Sequence, residues 1–259
     1  MEDADLRKLA KDGVVRTSDI ADALDVSRQR AAEQAHRLVQ QGTLKRLQRG
    51  LYAVVPLDVQ PENYRPDPVL VVHRGLDGDF AFSHHTAADL HGASQQSRRT
   101  VHVSRPDGRA RRMDIGDVPI HAHRIPTDAW PEATEKLRRG RRTVRVTTPE
   151  RTLLDLVGLP PSDQDYQEIC GILVALEPKL DPDVLLEQAH RWANKTTRAR
   201  LAHLLHREWP RGDPSWSHVE ERLDELAQLE SPYYFGTAPS NPANKMDNRF
   251  NVIYPGETG

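Results

Sequence analysis

Between Ser27 and Val55 the chain sets six cationic side chains, Arg28, Arg30, Arg37, Lys45, Arg46 and Arg49, against a single acid, Glu33. A guanidinium presents a rigid fork of donors that matches the two acceptors on a guanine edge, and the Gln29 amide offers the donor and acceptor that adenine requires. This is chemistry for reading and gripping a polyanionic duplex, with no bond made or broken. On a helical projection of residues 28 to 41, Ala31, Ala32, Ala35, Leu38 and Val39 fall on one side, while Gln29, Arg30, Glu33, Arg37 and Gln40 fall on the other. Arg28, Gln29 and Arg30 carry most weight, because the first turn of a recognition helix reaches the base edges. Glu33 either accepts from cytosine or holds the forks of Arg30 or Arg37. Lys45, Arg46 and Arg49, with Gly50 at a turn, are placed for phosphate or the minor groove, where contacts orient a protein without reading sequence.

Such side chains need a scaffold, and the flanking residues provide one. Leu6, Leu9 and Ala10 recur at helical spacing before Gly13. Thr17 or Ser18 can cap a second helix carrying Ile20, Ala21 and Leu24, and Ser27 can cap a third that runs to Gly42. Leu44, Leu47, Leu51, Tyr52, Val54 and Val55 then flank a Gln48-Arg49-Gly50 turn, as two paired strands would. The expectation is a winged helix-turn-helix over residues 1–56 that contacts double-stranded DNA through Ser27, Arg28, Gln29, Arg30, Glu33 and Arg37 and through Lys45, Arg46, Arg49 and Gly50. Winged helices also serve as protein-binding modules, and an arginine face is also an ordinary solvated surface.

Proline-rich residues 57–68 read as a linker. Residues 69–158 read as a mixed α/β domain in which VLVVH, FAF, TVHVS, VPIHAHRI and TVRVTT resemble strands, and SHHTAADLHG and PERTLLDLV resemble helices. Residues 159–230 place apolar side chains three and four apart and are expected to be helical, and residues 231–259 to form an irregular tail. The fold class is α+β.

Three blocks in series, GTLKRLQRGLYAV, FSHHTAADLHG and VRVTTPERTLLDLV, resemble the AbiEi-type antitoxins, regulators of type IV toxin–antitoxin loci. The resemblance covers about Met1 to Val157 well and the remainder loosely. It implies a winged-helix DNA reader that represses its own operon at inverted repeats, and a later domain that neutralises a nucleotidyltransferase-like toxin. Read from their residues alone, the last two blocks look like scaffold: Ser83 as a cap before a helix ended by Gly92, and Thr148, Pro149 and Glu150 opening a helix in which Arg151 and Asp155 pair across one turn.

Composition sets limits on other functions. At 259 residues, 37% hydrophobic and 29% charged, the chain suits two or three soluble units, with no run apolar enough to span a membrane and no signal-like start, so a cytoplasmic location is expected. Cys170 is alone and lies in an apolar run, which suits a buried thiol. His84, His85, His91, His102, His121 and His123 raise the question of a metal, and His121 and His123 suit one face of a strand. No HExxH, paired CxxC, GxxxxGK[ST] or GxGxxG is present, so no cofactor and no enzymatic activity is expected.

The net charge of −2 conceals a strong polarity. Arg98 to Thr148 holds thirteen Lys/Arg against six Asp/Glu, and Pro149 to Gly259 eleven against eighteen. Arg98, Arg99, Arg109, Arg111 and Arg112, with Arg138, Arg139, Arg141 and Arg142, are candidates for a second nucleic-acid or toxin surface, or else loop charges near Gly108 and Gly140. A 1–60 fragment is then expected to bind more weakly, with a shallower salt dependence. Two alternatives remain: a ligand- or protein-responsive regulator without a toxin, and a nucleic-acid-processing enzyme using the basic middle, with Asp114 and Asp117 as its nearest carboxylates.

Overall fold

The computed structural model describes residues 13–94, 98–106, 108–227 and 231–256. The helix expected from Leu6, Leu9 and Ala10 lies outside them. The described chain opens on a strand, β1 (Val14–Arg16), which the sequence reading did not anticipate, followed by α1 (Thr17–Leu24), α2 (Arg28–Gln40), β2 (Leu44–Gln48) and β3 (Leu51–Val54). The cap of α1 is Arg16 rather than Thr17 or Ser18. The Arg16 N–H donates to Asp19 Oδ2 at 2.7 Å, and the same carboxylate sits favourably at the helix's positive end. Ser27 caps α2 as expected, accepting from the Arg30 N–H at 3.4 Å. The helix closes where Gly42 takes φ +75°, with its N–H donating to Val39 at 3.1 Å and the Thr43 N–H to Leu38 at 3.0 Å. That pair of bonds satisfies carbonyls left without helical partners, and the left-handed φ favours glycine.

Ala31, Ala35 and Leu38 are the buried stripe of α2, and they pack with Val15, Ile20, Ala21, Leu44 and Tyr52. Complete burial of an aliphatic side chain such as Ile20 or Leu44 contributes about 1.5–3 kcal/mol, enough to outweigh the modest helix propensity of so short a segment. Ala32, expected in this stripe, is exposed: it stands one full residue step around the helix from Ala31 and falls past the edge of the apolar arc. β1 runs antiparallel to β3, and β3 antiparallel to β2, with a register shift between Arg46 and Gln48.

VLVVH, expected as a strand, belongs to a helix, α3 (Pro68–Gly75). Asp67 Oδ1 accepts from the Val69 N–H at 2.9 Å, and Pro68 fills the first helical position. This local start signal outweighs the strand preference of a valine run. Further elements are β4 (Ala81–Phe82), α4 (His84–Leu90), β5 (Val101–Arg105), β6 (Arg111–Ile115), β7 (Val118–Arg124), β8 (Thr134–Arg139), β9 (Arg142–Thr147) and α5 (Pro149–Val157). β5 and β7 pair in parallel, β6 and β7 antiparallel, and Phe82 of β4 pairs with Val146 of β9. Thr148 caps α5 through the Arg151 N–H at 3.3 Å, and Arg151 and Asp155 form the expected pair at 2.8 Å. Ser83 precedes α4 but accepts no capping bond, and its hydroxyl instead lies 2.9 Å from His84 Nδ1.

The chain divides into two compact units that interleave in sequence. One comprises Met1–Phe80, Arg98–Arg124 and Lys136–Val144, the other Ala81–Ser97, Ile125–Glu135 and Arg145–Gly259. The first holds 24 Lys/Arg against 16 Asp/Glu, and the second 12 against 22. Within the first, α3 touches β1 and β3 on one side and β5, β6 and β7 on another, so its buried Val69, Val71 and Val72 join the two sets of strands.

The second unit carries helices α6 (Tyr166–Leu176), α7 (Pro182–Trp192), α8 (Lys195–Glu208) and α9 (Trp216–Leu226), as the periodicity predicts. Their apolar stripes bury a continuous core that includes Leu153, Ile169, Leu173, Leu201 and Leu223. Cys170 is buried, and burial pushes its thiol up to about 12, far from the range of a reactive thiolate. Residues 231–256, within the segment expected to be irregular, instead form a small sheet. β10 (Tyr233–Tyr234) pairs in parallel with β12 (Val252–Pro255), and β11 (Asn244–Asp247) antiparallel to it. Phe235, Phe250 and Val252 anchor it in the core, and Tyr166 Oη, His203 and Asp247 link it through bonds of 2.9 and 2.7 Å. None of the helices in the described residues is long and apolar enough to cross a membrane.

Candidate nucleic-acid interface

The two helices and the hairpin of the first unit put most of the sequence-derived cations on open surface. Arg28, Gln29, Arg30, Glu33 and Arg37 of α2 are exposed, as are Arg46 and Arg49 of the hairpin. No acid occupies the first turn of α2. Apart from the Arg30 N–H held by Ser27, its first-turn amides leave a partial positive charge that no acid of that turn offsets, with Arg28 and Arg30 standing at that end. Among the described residues nothing accepts from the guanidinium groups of Arg28, Arg30, Arg37, Arg46 or Arg49. Exposed cations of this kind keep their full hydration until a polyanion arrives, so pairing releases counterions without breaking an internal bond.

Other members of the set are engaged differently from the expectation. Glu33 accepts from Gln29 Nε2 at 3.3 Å, one turn away, and not from Arg30 or Arg37. Gln40 and His36 make a similar contact at 3.2 Å. Lys45 is half-buried, and its Nζ donates to the Tyr64 carbonyl at 3.0 Å, tying the proline-rich connector to β2. Gly50, half-buried with φ +77°, shapes the two-residue turn, and its carbonyl accepts from the Thr17 N–H at 2.9 Å. Arg49 is thus the side chain displayed at the hairpin tip.

The arginines of the middle region are not loop charges alone. Arg111 and Arg112 lie exposed on β6 and Arg138 on β8, Arg139 of β8 and Arg142 of β9 are half-buried, and Arg98, Arg99 and Arg109 are exposed outside the strands. All of them, with Arg141, belong to the same compact unit as α2 and the hairpin. Arg139 is half-buried and pairs with Asp67 at 3.1 Å, and Arg99 donates to the Asp117 carbonyl at 3.4 Å. The β6–β7 turn abuts the hairpin directly: a Cβ placed on Gly116 would stand 2.8 Å from the Leu47 carbonyl oxygen. Strand β6 went unread because arginines mask its alternation, although Met113 and Ile115, two apart, were its signal.

Residues 5–55, which take in β1 to β3, α1 and α2, match the model of a family described as transcriptional regulator, AbiEi antitoxin. Residues 80–207 match that of the AbiEi antitoxin C-terminal domain. The chain belongs to the AbiEi antitoxin family. In this AbiEi chain the first match ends at Val55, just after β3, and the second takes in the β5–β7 ladder and the helices as far as α8. The AbiEi fold seen here is similar to the crystal structure of the RV2827C protein from Mycobacterium tuberculosis, with a TM-score of 0.66 and 15% identity, covering 97% of this chain and 89% of that one. At that identity the likeness is one of fold alone. No curated protein matches the chain.

Proposed function

We propose that this AbiEi-family regulator is a sequence-specific DNA-binding repressor of its own toxin–antitoxin operon, and that β1–β3, α1 and α2 work as a winged helix-turn-helix. In this reading α2 enters the major groove. Arg28, Gln29 and Arg30 address base edges from its first turn, Glu33 and Arg37 lie deeper along the groove, and Ser27 holds the turn in shape. Arg46 and Arg49 grip phosphate beside the hairpin, Gly50 sets its tip, and Lys45 joins only if it leaves the Tyr64 carbonyl. The observation that carries the proposal is the open face of α2 and the hairpin, where five arginines have no intramolecular partner among the described residues. The family membership supports the antitoxin half: neutralisation of a nucleotidyltransferase-like toxin, with an inverted-repeat operator read by two copies.

The same compact unit gathers Arg98, Arg99, Arg109, Arg111, Arg112, Arg138, Arg139, Arg141 and Arg142, and this favours a wider DNA footprint over a separate toxin surface. Footprinting on the chain's own promoter tests the proposal, with Arg30→Ala and Arg49→Ala beside the wild type. Arg30→Ala is expected to lose about 1–3 kcal/mol and to relax preference at one base pair, and Arg49→Ala to weaken all sequences alike. Absence of any protected site in the wild-type lane would refute it.

A further inference from the structure

Three imidazoles meet on one face of the β5–β7 ladder, and the DNA-reading proposal uses none of them. Residues two apart on a strand share a face, which puts His121 and His123 of β7 together. In the parallel register His102 of β5 lies opposite His121. The His102 ring centroid is 5.2 Å from those of both His121 and His123, which are themselves 6.5 Å apart. His102 Nδ1 and His123 Nε2 approach to 3.0 Å.

That approach has two chemical readings. Without an ion it is an N–H···N bond between imidazoles, one donating and the other accepting as a neutral ring. The spacing is also close to that of two ligands of one ion, because zinc–nitrogen bonds of about 2.0–2.1 Å meeting at the tetrahedral angle set the two nitrogens roughly 3.3 Å apart. We infer that this face binds a divalent cation of the zinc, nickel or copper class, with His102 and His123 as a preorganised pair and His121 as a third donor after a side-chain rotation. Imidazole nitrogen selects those ions over magnesium and calcium, which take oxygen ligands. His102 is buried, whereas His121 and His123 are half-buried.

The neighbours on this face tune the site. Ser104 of β5 lies opposite His123, and Arg112 of β6 lies opposite His121. A guanidinium there opposes an incoming cation. Removing that charge should therefore tighten binding, a response that a simple hydrogen-bonded imidazole pair would not give.

The test uses the full chain freed of metal by a chelator and titrated with Co²⁺, followed by its visible absorption, and with Zn²⁺, followed by calorimetry and thermal melting. We expect one equivalent bound and a raised melting midpoint, with no response to Mg²⁺. His102→Phe and His123→Phe, which keep ring volume and remove the ligand, should each weaken binding at least tenfold; His121→Phe should weaken it less, and Arg112→Gln should strengthen it. Circular dichroism verifies that each variant is folded. No saturable Co²⁺ or Zn²⁺ binding by the folded wild type, or binding undiminished in the His102→Phe/His123→Phe double variant, would overturn the inference. DNA affinity is not a readout here, so this site and the repressor reading fail separately.

Discussion

Replacing Arg111 and Arg112 by glutamine in the full chain asks how far the proposed DNA interface extends beyond α2 and the hairpin. The five open arginines of α2 and the hairpin, each counted as displacing one condensed counterion whether it meets a base edge or a phosphate, predict that log affinity falls with log salt at a slope of roughly −4 to −5. Between 50 and 200 mM salt each such contact is worth about a 3.5-fold loss, so these five alone give roughly a 500-fold drop. Adding Arg111 and Arg112 steepens the slope by about 1.8, and the double variant should recover that difference, losing roughly 12-fold less over the same salt range. Both side chains are exposed on β6, and neither forms an ion pair among the described residues, so glutamine should leave the fold intact. Fluorescence anisotropy on the promoter duplex at four or more salt concentrations measures the slope, and a thermal melt checks folding. An unchanged slope in a folded double variant would remove β6 from the interface. A wild-type slope shallower than about −2 would undercut α2 and the hairpin as well. Truncation after residue 60 is a poorer tool than the sequence suggested, since it would strip the hairpin of the Gly116 turn and of α3.

Two further outcomes follow from the packing. Gly116 has φ +57° and almost touches the Leu47 carbonyl, so Gly116→Ala should cost about 2–4 kcal/mol, from the left-handed backbone and from the forced displacement, visible as a lower denaturant midpoint; an unaltered midpoint would mean that the turn and hairpin do not abut. His91 is buried with Nε2 2.7 Å from the Thr147 carbonyl, and burial, only partly offset by that bond, lowers its pKa. A base with a depressed folded pKa gives stability that is complete above its unfolded value of about 6.5 and is lost as pH falls through the folded one, so the midpoint should drop below about pH 6 and His91→Gln should flatten the dependence.

Some of this architecture was legible in the sequence because the signals were local. Ser27, Gly42, Thr148 and Gly92 act within a few residues of the backbone groups they serve, and helix ends followed from them. The helical periodicity of residues 166–226 needed no partner to be read. Where the deciding partner is distant, the reading failed. β1 is three residues long and acquires its bonds from β3, nearly forty residues later. The valines after Asp67 look like a strand until that side chain's bond to Val69 is known. The C-terminal sheet rests on Phe235 and Phe250 reaching the core of helices, among proline and asparagine that by composition read as irregular. Of the candidate interface, the exposure of the α2 arginines was visible from a wheel alone. The engagement of Lys45 by Tyr64 and of Glu33 by Gln29 depended on side-chain geometry that spacing does not specify.

Charge shows most clearly what a linear window hides. The basic stretches at 98–112 and 136–142 lie more than fifty residues beyond α2, yet the fold collects them into the unit that bears α2, and the acids gather in the other. A net charge near zero would give little long-range attraction to a duplex, whereas a unit with a surplus of eight positive charges raises the rate of encounter in low salt. Under the proposed function this division has a use for each part. The basic unit supplies the non-specific attraction on which base reading by Arg28 and Arg30 is superimposed, and the acidic unit, repelled by the same polymer, stays available for a different partner. Reversing the surplus on the basic unit should therefore slow association with every DNA sequence, whereas substitutions confined to the first turn of α2 should change which sequence is preferred.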